Sequence, residues 1–190
     1  AEFAVSIDLA PALPGPFADW QALSRVVAAL TLARDAKVIG ISGSQGSGKS
    51  SLAAALQKTL AALRARTAVS SIDDFYLTRA ARAALARTVP PLLQTRGVPG
   101  TPDGCWLGQT LDTVRAGQAE LELPRFDKGR DDRSGTVVVA AERLIIEGWC
   151  VGVTPQPEAE LAEPCNPLER SEDEDGRWRT WVNLQIEEHY

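Results

Sequence analysis

Hydrophobic positions along the first half of the chain follow helical spacing in some segments and form short continuous runs in others. Apolar residues at 17–34 recur every three or four positions, which predicts an amphipathic helix. The β-branched run at 37–42 ends beside a glycine and predicts a short buried strand. Leucines at 49–66 share one stripe and predict a second helix. Similar β-rich runs at 67–72 and 143–146 predict two more strands.

Strands that alternate with helices are the pattern of an α/β fold with a parallel sheet flanked by helices. Such sheets bind ligands beyond the carboxyl ends of their strands. All three predicted strands end in polar side chains. We therefore expect a small sheet of three parallel strands with a ligand site along one edge.

The remaining segments are less regular. Residues 1–16 contain three prolines and predict an irregular lead-in. Residues 77–140 form a long connection, which we expect to carry function or a small structure of its own. Residues 152–176 are rich in Pro, Glu and Asp and predict a loop-like acidic insertion. Residues 178–190 predict the start of another helix.

Composition excludes several classes of protein. The 190 residues fit one domain, 1–190, and the 44% hydrophobic content is that of a globular protein. The net charge of −5 argues against a nucleic-acid binder. No apolar run approaches membrane-spanning length and no signal-peptide pattern is visible, so we expect a cytoplasmic protein without a membrane partner. Three scattered cysteines and one histidine give no support to a disulfide framework or a zinc site.

The most specific motif lies between the first predicted strand and the helix after it. It reads Gly43-x-x-x-x-Gly48-Lys49-Ser50, a loop whose backbone N–H groups wrap around a phosphate at the positive end of a helix. This predicts ATP and Mg²⁺ as ligands, with Lys49 on the β- and γ-phosphates and the Ser50 hydroxyl on the metal. The predicted ATP-binding residues are Gly43, Ser44, Gln45, Gly46, Ser47, Gly48, Lys49, Ser50 and Ser51.

Carboxylates follow the other two predicted strands. Asp73 and Asp74 come directly after the second strand, where a carboxylate can orient an acceptor hydroxyl and take its proton, or bind the metal. An alternative is that both cap a helix that begins near Phe75. Glu147 ends the third strand, the Walker B position that holds Mg²⁺ directly or through water.

Five motifs in this order resemble the glycerate kinase branch of the phosphoribulokinase, uridine kinase and pantothenate kinase superfamily, over residues 20–190. They are the phosphate loop, Ile72-Asp73-Asp74-Phe75-Tyr76-Leu77-Thr78, Arg96-Gly97-Val98-Pro99-Gly100-Thr101, Pro124-Arg125-Phe126-Asp127-Lys128-Gly129-Arg130 and Ile146-Glu147-Gly148-Trp149.

The resemblance implies a P-loop kinase fold and a role for individual residues. It implies that Asp73 is the catalytic base and acts with Lys49, and that Glu147 binds the metal. Alternation along an extended strand end would turn Asp74 to the opposite face from Asp73, and we assign Asp74 to the metal site. The resemblance also implies acceptor-side groups, which fall on Arg96, Asp103 and Arg125.

The chain departs from the family pattern at two places. Relatives usually read Gly-Thr-His-Asp where this chain has Gly100-Thr101-Pro102-Asp103, and proline donates no hydrogen bond. Relatives also continue into a fourth strand and a lid beyond Tyr190. By this resemblance we expect the C-terminal strands and the lid to be missing from the domain.

These observations predict a kinase that transfers the ATP γ-phosphoryl group to a hydroxyl of a small metabolite, which the resemblance identifies as D-glycerate. A glycerate acceptor needs an arginine for its carboxylate. A nucleoside acceptor would instead need an aromatic slot, for which Tyr76 and Phe126 are the candidates. Pantothenate is another acceptor that the superfamily implies. The alternative of a different class is a nucleotide-binding regulatory module without transfer activity.

Overall fold

The computed structural model describes residues 20–88 and 91–190. The lead-in predicted at 1–16 and the first three residues of the first predicted helix lie outside the described residues. Helix α1 spans Trp20–Ala33 and strand β1 spans Val38–Ser42. The phosphate loop follows, and helix α2 spans Lys49–Ala62. The alternation of strand and helix predicted for this part of the chain is therefore confirmed.

The main sheet has three parallel strands, and the strand at 143–148 lies between β1 and the strand at 67–71. Strand β2 spans Thr67–Ser71 and β5 spans Arg143–Gly148. Every residue of β5 is buried because this strand lies between the other two and is covered on both faces. A central parallel strand has this continuous hydrophobic character. The predicted P-loop α/β fold with three parallel strands is confirmed.

Alternate residues of β5 pack on opposite faces of the sheet. Ile145 joins the cluster formed by α1 and α2, which includes Leu56 and Leu60. Leu144 and Ile146 face a second cluster on the other side, which includes residues of the helix at 104–115 and the strand at 120–127. The sheet is thus the middle of three layers, and its carboxyl-end edge is left for polar groups.

The long connection between β2 and β5 has a structure of its own, as predicted. It contains the helices α3, Arg79–Thr88, and α4, Gly104–Arg115, and the antiparallel strands β3, Glu120–Asp127, and β4, Asp132–Ala140. We call the two strands and the turn 128–131 the hairpin. Its register shifts between Arg125 and Phe126, a β-bulge that redirects the side chains near the turn.

The C-terminal part is more helical than the sequence predicts. Helix α6 spans Arg177–His189 and confirms the predicted terminal helix. The prediction of a loop over 152–176 is wrong in part, because a 3₁₀ helix spans Glu158–Leu161 and helix α5 spans Pro167–Glu172. The Asn166 side chain caps α5 by accepting a hydrogen bond from the Glu169 N–H, and proline occupies the first turn.

Smaller differences concern where elements end. Helix α2 stops at Ala62 instead of 66, because Arg64 adopts a left-handed conformation and the Ala65 N–H returns to the Leu60 carbonyl. Strand β5 continues two residues beyond the predicted end, to Gly148. No helix in the described part of the chain combines the length and apolar character that a membrane span needs.

Candidate active site

The phosphate loop connects β1 to α2 at the carboxyl end of the sheet. A Cβ on Gly43 would lie 2.8 Å from the Ser47 hydroxyl, so a side chain there would force Ser47 to shift. Gly48 has φ 89° and directly precedes α2. A Cβ there would lie 2.5 Å from the Trp20 indole of α1. The left-handed φ at Gly48 and the close contact at Gly43 both favour the glycines that the motif places there.

The two polar side chains of α2 next to the loop point in different directions. The Lys49 ammonium donates to the Ser44 carbonyl at 2.9 Å, so it lies over the loop. The Ser50 hydroxyl donates to Glu147 Oε1 at 2.9 Å and thus joins the phosphate loop to the end of β5. The sequence places these two residues 97 positions apart, and parallel pairing of β1 with β5 brings them together.

The Ser50–Glu147 pair fits a magnesium site. A hydroxyl and a carboxylate are hard oxygen ligands, and Mg²⁺ bound with nucleotide phosphates needs only one or two protein groups. Glu147 is buried, so its carboxylate is held in a fixed direction beside the loop. No cluster of three or more acidic, histidine or cysteine side chains with metal-site geometry occurs among the described residues. Any Mg²⁺ held here would therefore be shared between this pair and the phosphates.

The acidic pair after β2 lies on a short 3₁₀ helix, Ile72–Phe75, and not on an extended strand end. The Ser71 side chain caps this helix by accepting a hydrogen bond from the Asp73 N–H at 3.3 Å. The alternation argument that separated Asp73 from Asp74 is therefore wrong in its geometry. The alternative that the two aspartates cap a helix is not what is found either, because serine is the cap.

The Asp73 carboxylate faces the hairpin turn. Its Oδ2 accepts a hydrogen bond from the Lys128 ammonium at 2.6 Å. The Tyr76 ring lies close by, and burial together with the Asp73 carboxylate raises the pKa of Tyr76. Burial also raises the pKa of the neighbouring Cys150 thiol to about 12. Asp73 thus lies between the exposed Lys128 ammonium and the buried, uncharged side chains of Tyr76 and Cys150.

Asp74 is bound to the hairpin strand β3. Its Oδ2 accepts from the Arg125 guanidinium at 3.0 Å, and its Oδ1 accepts from the Phe126 N–H at 3.4 Å. Both carboxylate oxygens of Asp74 therefore bond to β3, whereas the candidate magnesium ligands Ser50 and Glu147 bond to each other. The structure brings Asp74 together with the predicted acceptor-side residue Arg125, and a metal role for Asp74 stays a prediction.

Arg96 lies in a second group of charges near the hairpin turn. Its guanidinium forms an ion pair with Asp131, whose other carboxylate oxygen accepts from the buried Arg82 at 2.6 Å. Both arginines lie over the Phe126 ring, 5.6 Å from its centroid. Phe126 packs edge-on against Tyr76, with centroids 5.4 Å apart. Arg96 is thus connected to the Asp73 region through two aromatic rings.

Asp103 has two structural partners. It caps α4 by accepting from the Trp106 N–H at 3.1 Å, and it pairs with Arg133 at 2.8 Å. The preceding Pro102 bridges to Tyr76 in a short antiparallel contact. The backbone hydrogen bonds of this contact are made by the residues on either side of Tyr76 and Pro102. The Asp103 N–H donates to the Phe75 carbonyl, and the Leu77 N–H donates to the Thr101 carbonyl. Proline at this position therefore costs no backbone hydrogen bond.

Sequence reasoning missed two contacts of the site. Lys128 belongs to the motif at 124–130, but nothing in the local sequence identifies Asp73 as its partner, 55 residues away. The Trp20 ring packs on Gly48 of the phosphate loop. Helical periodicity predicts only that Trp20 lies in the core, and not that it contacts the loop. A search for cations in the long connection that could reach the strand ends would have identified Lys128 as one candidate among several.

Comparison with known proteins points to kinases. No family model matches the chain. An uncharacterized kinase of Schizosaccharomyces pombe, mug58, is 34% identical over 171 residues, which are 80% of this chain and 59% of that protein. The chloroplastic D-glycerate 3-kinase of Arabidopsis thaliana is 33% identical over 144 residues, 68% of this chain and 31% of that protein. The chain thus spans from about a third to three fifths of these curated relatives.

A solved structure extends the likeness to the whole fold. The D-glycerate 3-kinase of Cryptococcus neoformans superposes with a TM-score of 0.69 and 26% sequence identity. The match covers 90% of this chain and 68% of that structure. The likeness therefore extends over most of the fold described above.

Proposed function

Because the chain belongs to the D-glycerate 3-kinase-like P-loop kinases, we propose that it transfers the γ-phosphoryl group of ATP to a hydroxyl of a small metabolite, D-glycerate. The observation that carries the proposal is the hydrogen bond between Ser50 and Glu147 beside the phosphate loop. It joins the two groups that a magnesium-bound nucleotide needs. Asp73 stands at the end of the strand on the other side of β5.

Binding of the nucleotide would rest on the loop and on Lys49. The N–H groups of residues 43–48 would surround the β-phosphate at the positive end of α2. The Lys49 ammonium would leave the Ser44 carbonyl and bind oxygens of the β- and γ-phosphates. Ser50 and Glu147 would hold Mg²⁺, which supplies neutralisation of phosphate charge when bound.

Asp73 is suited to act on the acceptor. Its carboxylate would orient the acceptor hydroxyl and take its proton as the oxygen bonds to the γ-phosphorus. The bond from that phosphorus to the β–γ bridging oxygen breaks, and ADP leaves with the electron pair. Asp74 is less suited to this task, because Arg125 and the Phe126 N–H engage its two oxygens.

The surroundings of the site favour a carboxylate-bearing acceptor over a nucleoside. Tyr76 and Phe126 contact each other edge-on and Tyr76 is buried, so the two rings present no open slot for a base. Arg125 is 43% exposed at its side chain and can offer further N–H groups to an acceptor carboxylate. We assign the acceptor carboxylate to Arg125, with Arg96 as the second candidate.

The proposal is tested by a Mg–ATP consumption screen on the full-length protein. The panel contains D-glycerate, other hydroxy acids, pantothenate and nucleosides. We expect ADP release that depends on D-glycerate and that Lys49→Ala abolishes without a change in thermal stability. ADP release with pantothenate or a nucleoside alone would contradict the acceptor assignment. Binding of Mg–ATP without turnover on any member would instead favour a regulatory module.

A further inference from the structure

Lys128 lies in the turn of the hairpin, outside the main sheet. Its ammonium donates a charge-assisted hydrogen bond to Asp73 Oδ2 at 2.6 Å. The Lys128 side chain is 62% exposed and the Asp73 side chain 29%. The contact therefore joins the proposed base to a cation on the solvent side of the site.

The fold does not depend on this contact to hold the hairpin. Arg125 pairs with Asp74, and Arg133 pairs with Asp103 and donates to the Tyr76 carbonyl. Asp131 in the same turn binds two arginines. An exposed lysine–carboxylate pair contributes little to stability by itself, so Lys128 can leave its partner at a small cost in stability.

An acceptor hydroxyl that approaches Asp73 Oδ2 competes with the Lys128 ammonium for that oxygen. The base has to accept a hydrogen bond from the acceptor hydroxyl, and the Lys128 ammonium occupies one of its two oxygens. An arriving hydroxyl that takes this place displaces the ammonium. The nearest new negative charge would then be the γ-phosphoryl group that the hydroxyl attacks.

We propose that Lys128 holds Asp73 until the acceptor binds and then moves onto the transferring phosphoryl group, as a second catalytic cation beside Lys49. The inference rests on the proposed function. The acceptor proton passes to Asp73, the acceptor oxygen bonds to the γ-phosphorus, and ADP departs with the electrons of the broken bond. Lys128 stabilises the charge on the phosphoryl oxygens during that step and exchanges no proton. A lysine suits both positions, because its compact charge is carried on a flexible stem.

The test compares Lys128→Ala and Lys128→Arg with the parent in steady-state kinetics of the full-length protein, with D-glycerate or whichever acceptor the screen identifies. We expect Lys128→Ala to lower kcat by roughly 10²–10³-fold, the usual effect of removing one preorganised donor to a developing charge, with the KM for ATP nearly unchanged. Lys128→Arg keeps a cation at this place and should recover part of the loss.

Lys58→Ala is the matched control, because Lys58 is an exposed lysine on α2 outside the site. It should leave kcat unchanged. An active parent whose kcat survives Lys128→Ala within about twofold overturns the inference alone. A change confined to the KM of the acceptor also overturns it, since Lys128 would then act only in binding. A parent that transfers phosphoryl groups to no acceptor overturns the proposed function and, with it, the inference.

Discussion

Replacing Arg82 by alanine removes a fully buried guanidinium that joins three segments of the chain. Arg82 on α3 donates to the Leu77 carbonyl at 2.7 Å, to the Asp131 carbonyl at 3.0 Å and to Asp131 Oδ2 at 2.6 Å. Each buried acceptor left without a donor costs about 1–3 kcal/mol. The Asp131 carboxylate is 39% exposed and keeps Arg96, so its own loss is smaller. We expect the free energy of unfolding to fall by about 3–5 kcal/mol.

Thermal and urea unfolding of the two variants Arg82→Ala and Arg87→Ala measures this effect. Arg87 lies on the same helix with an exposed side chain, so its loss should change the unfolding free energy by less than about 0.5 kcal/mol. For a chain of this size, Arg82→Ala should lower Tm by roughly 6–20 °C. If the two variants unfold within about 1 kcal/mol of each other, the buried network is not what stabilises the hairpin turn.

Three further predictions concern the site. Gly48→Ala forces a left-handed φ on alanine and places its Cβ 2.5 Å from an indole carbon of α1. We expect the affinity for Mg–ATP, measured by calorimetry, to weaken about tenfold or more. In the control variant Gly117→Ala the backbone strain is the same but the Cβ meets open space, so the affinity should not change in this way. Cys150 is buried with a pKa of about 12, so thiol titration at pH 8 should find two fast thiols in the 190-residue chain and a third only after denaturation. Asp73→Asn should lower turnover by roughly 10²–10⁴-fold at all Mg²⁺ concentrations, whereas Asp74→Asn should do much less. A larger loss at Asp74 than at Asp73 that is independent of Mg²⁺ would mean the two roles are reversed.

The order of strands and helices around the main sheet could be predicted because each element carries its own periodicity. Strand β5 has the consecutive apolar residues Leu144, Ile145 and Ile146 at its centre, and this character favours a central position in the sheet. The phosphate loop is equally local, since its spacing of glycines and lysine is a property of eight consecutive residues. These features need no knowledge of distant contacts.

The hairpin could not be predicted, because its pairing is long-range and its strand pattern is weak. Strand β3 includes Pro124 and several charges, and the register shifts within it. The partners at the site are also non-local: Lys128 reaches Asp73 and Arg125 reaches Asp74 only after the hairpin has folded against the 3₁₀ helix. Local sequence offers many arginines and no means to match each one with its carboxylate.

The 3₁₀ helix after β2 is a case where a local signal was available. Ser71 precedes two aspartates, and serine is a favoured cap that competes with extension of the strand. The sequence predicts that strand β2 stays extended to its end, because β-branched residues occur as far as Ile72. The capped turn presents Asp73 and Asp74 to different parts of the hairpin, the turn and strand β3 respectively.

The proposed activity is the transfer of a phosphoryl group from ATP to a carboxylate-bearing alcohol. It is tested most directly by ³¹P NMR of the full-length protein with Mg–ATP and D-glycerate. We predict that a phosphomonoester resonance grows at the same rate as ADP, that no inorganic phosphate accompanies it, and that Lys49→Ala removes both signals. Formation of ADP with inorganic phosphate alone, or an unchanged nucleotide spectrum while Mg–ATP is bound, would contradict the account.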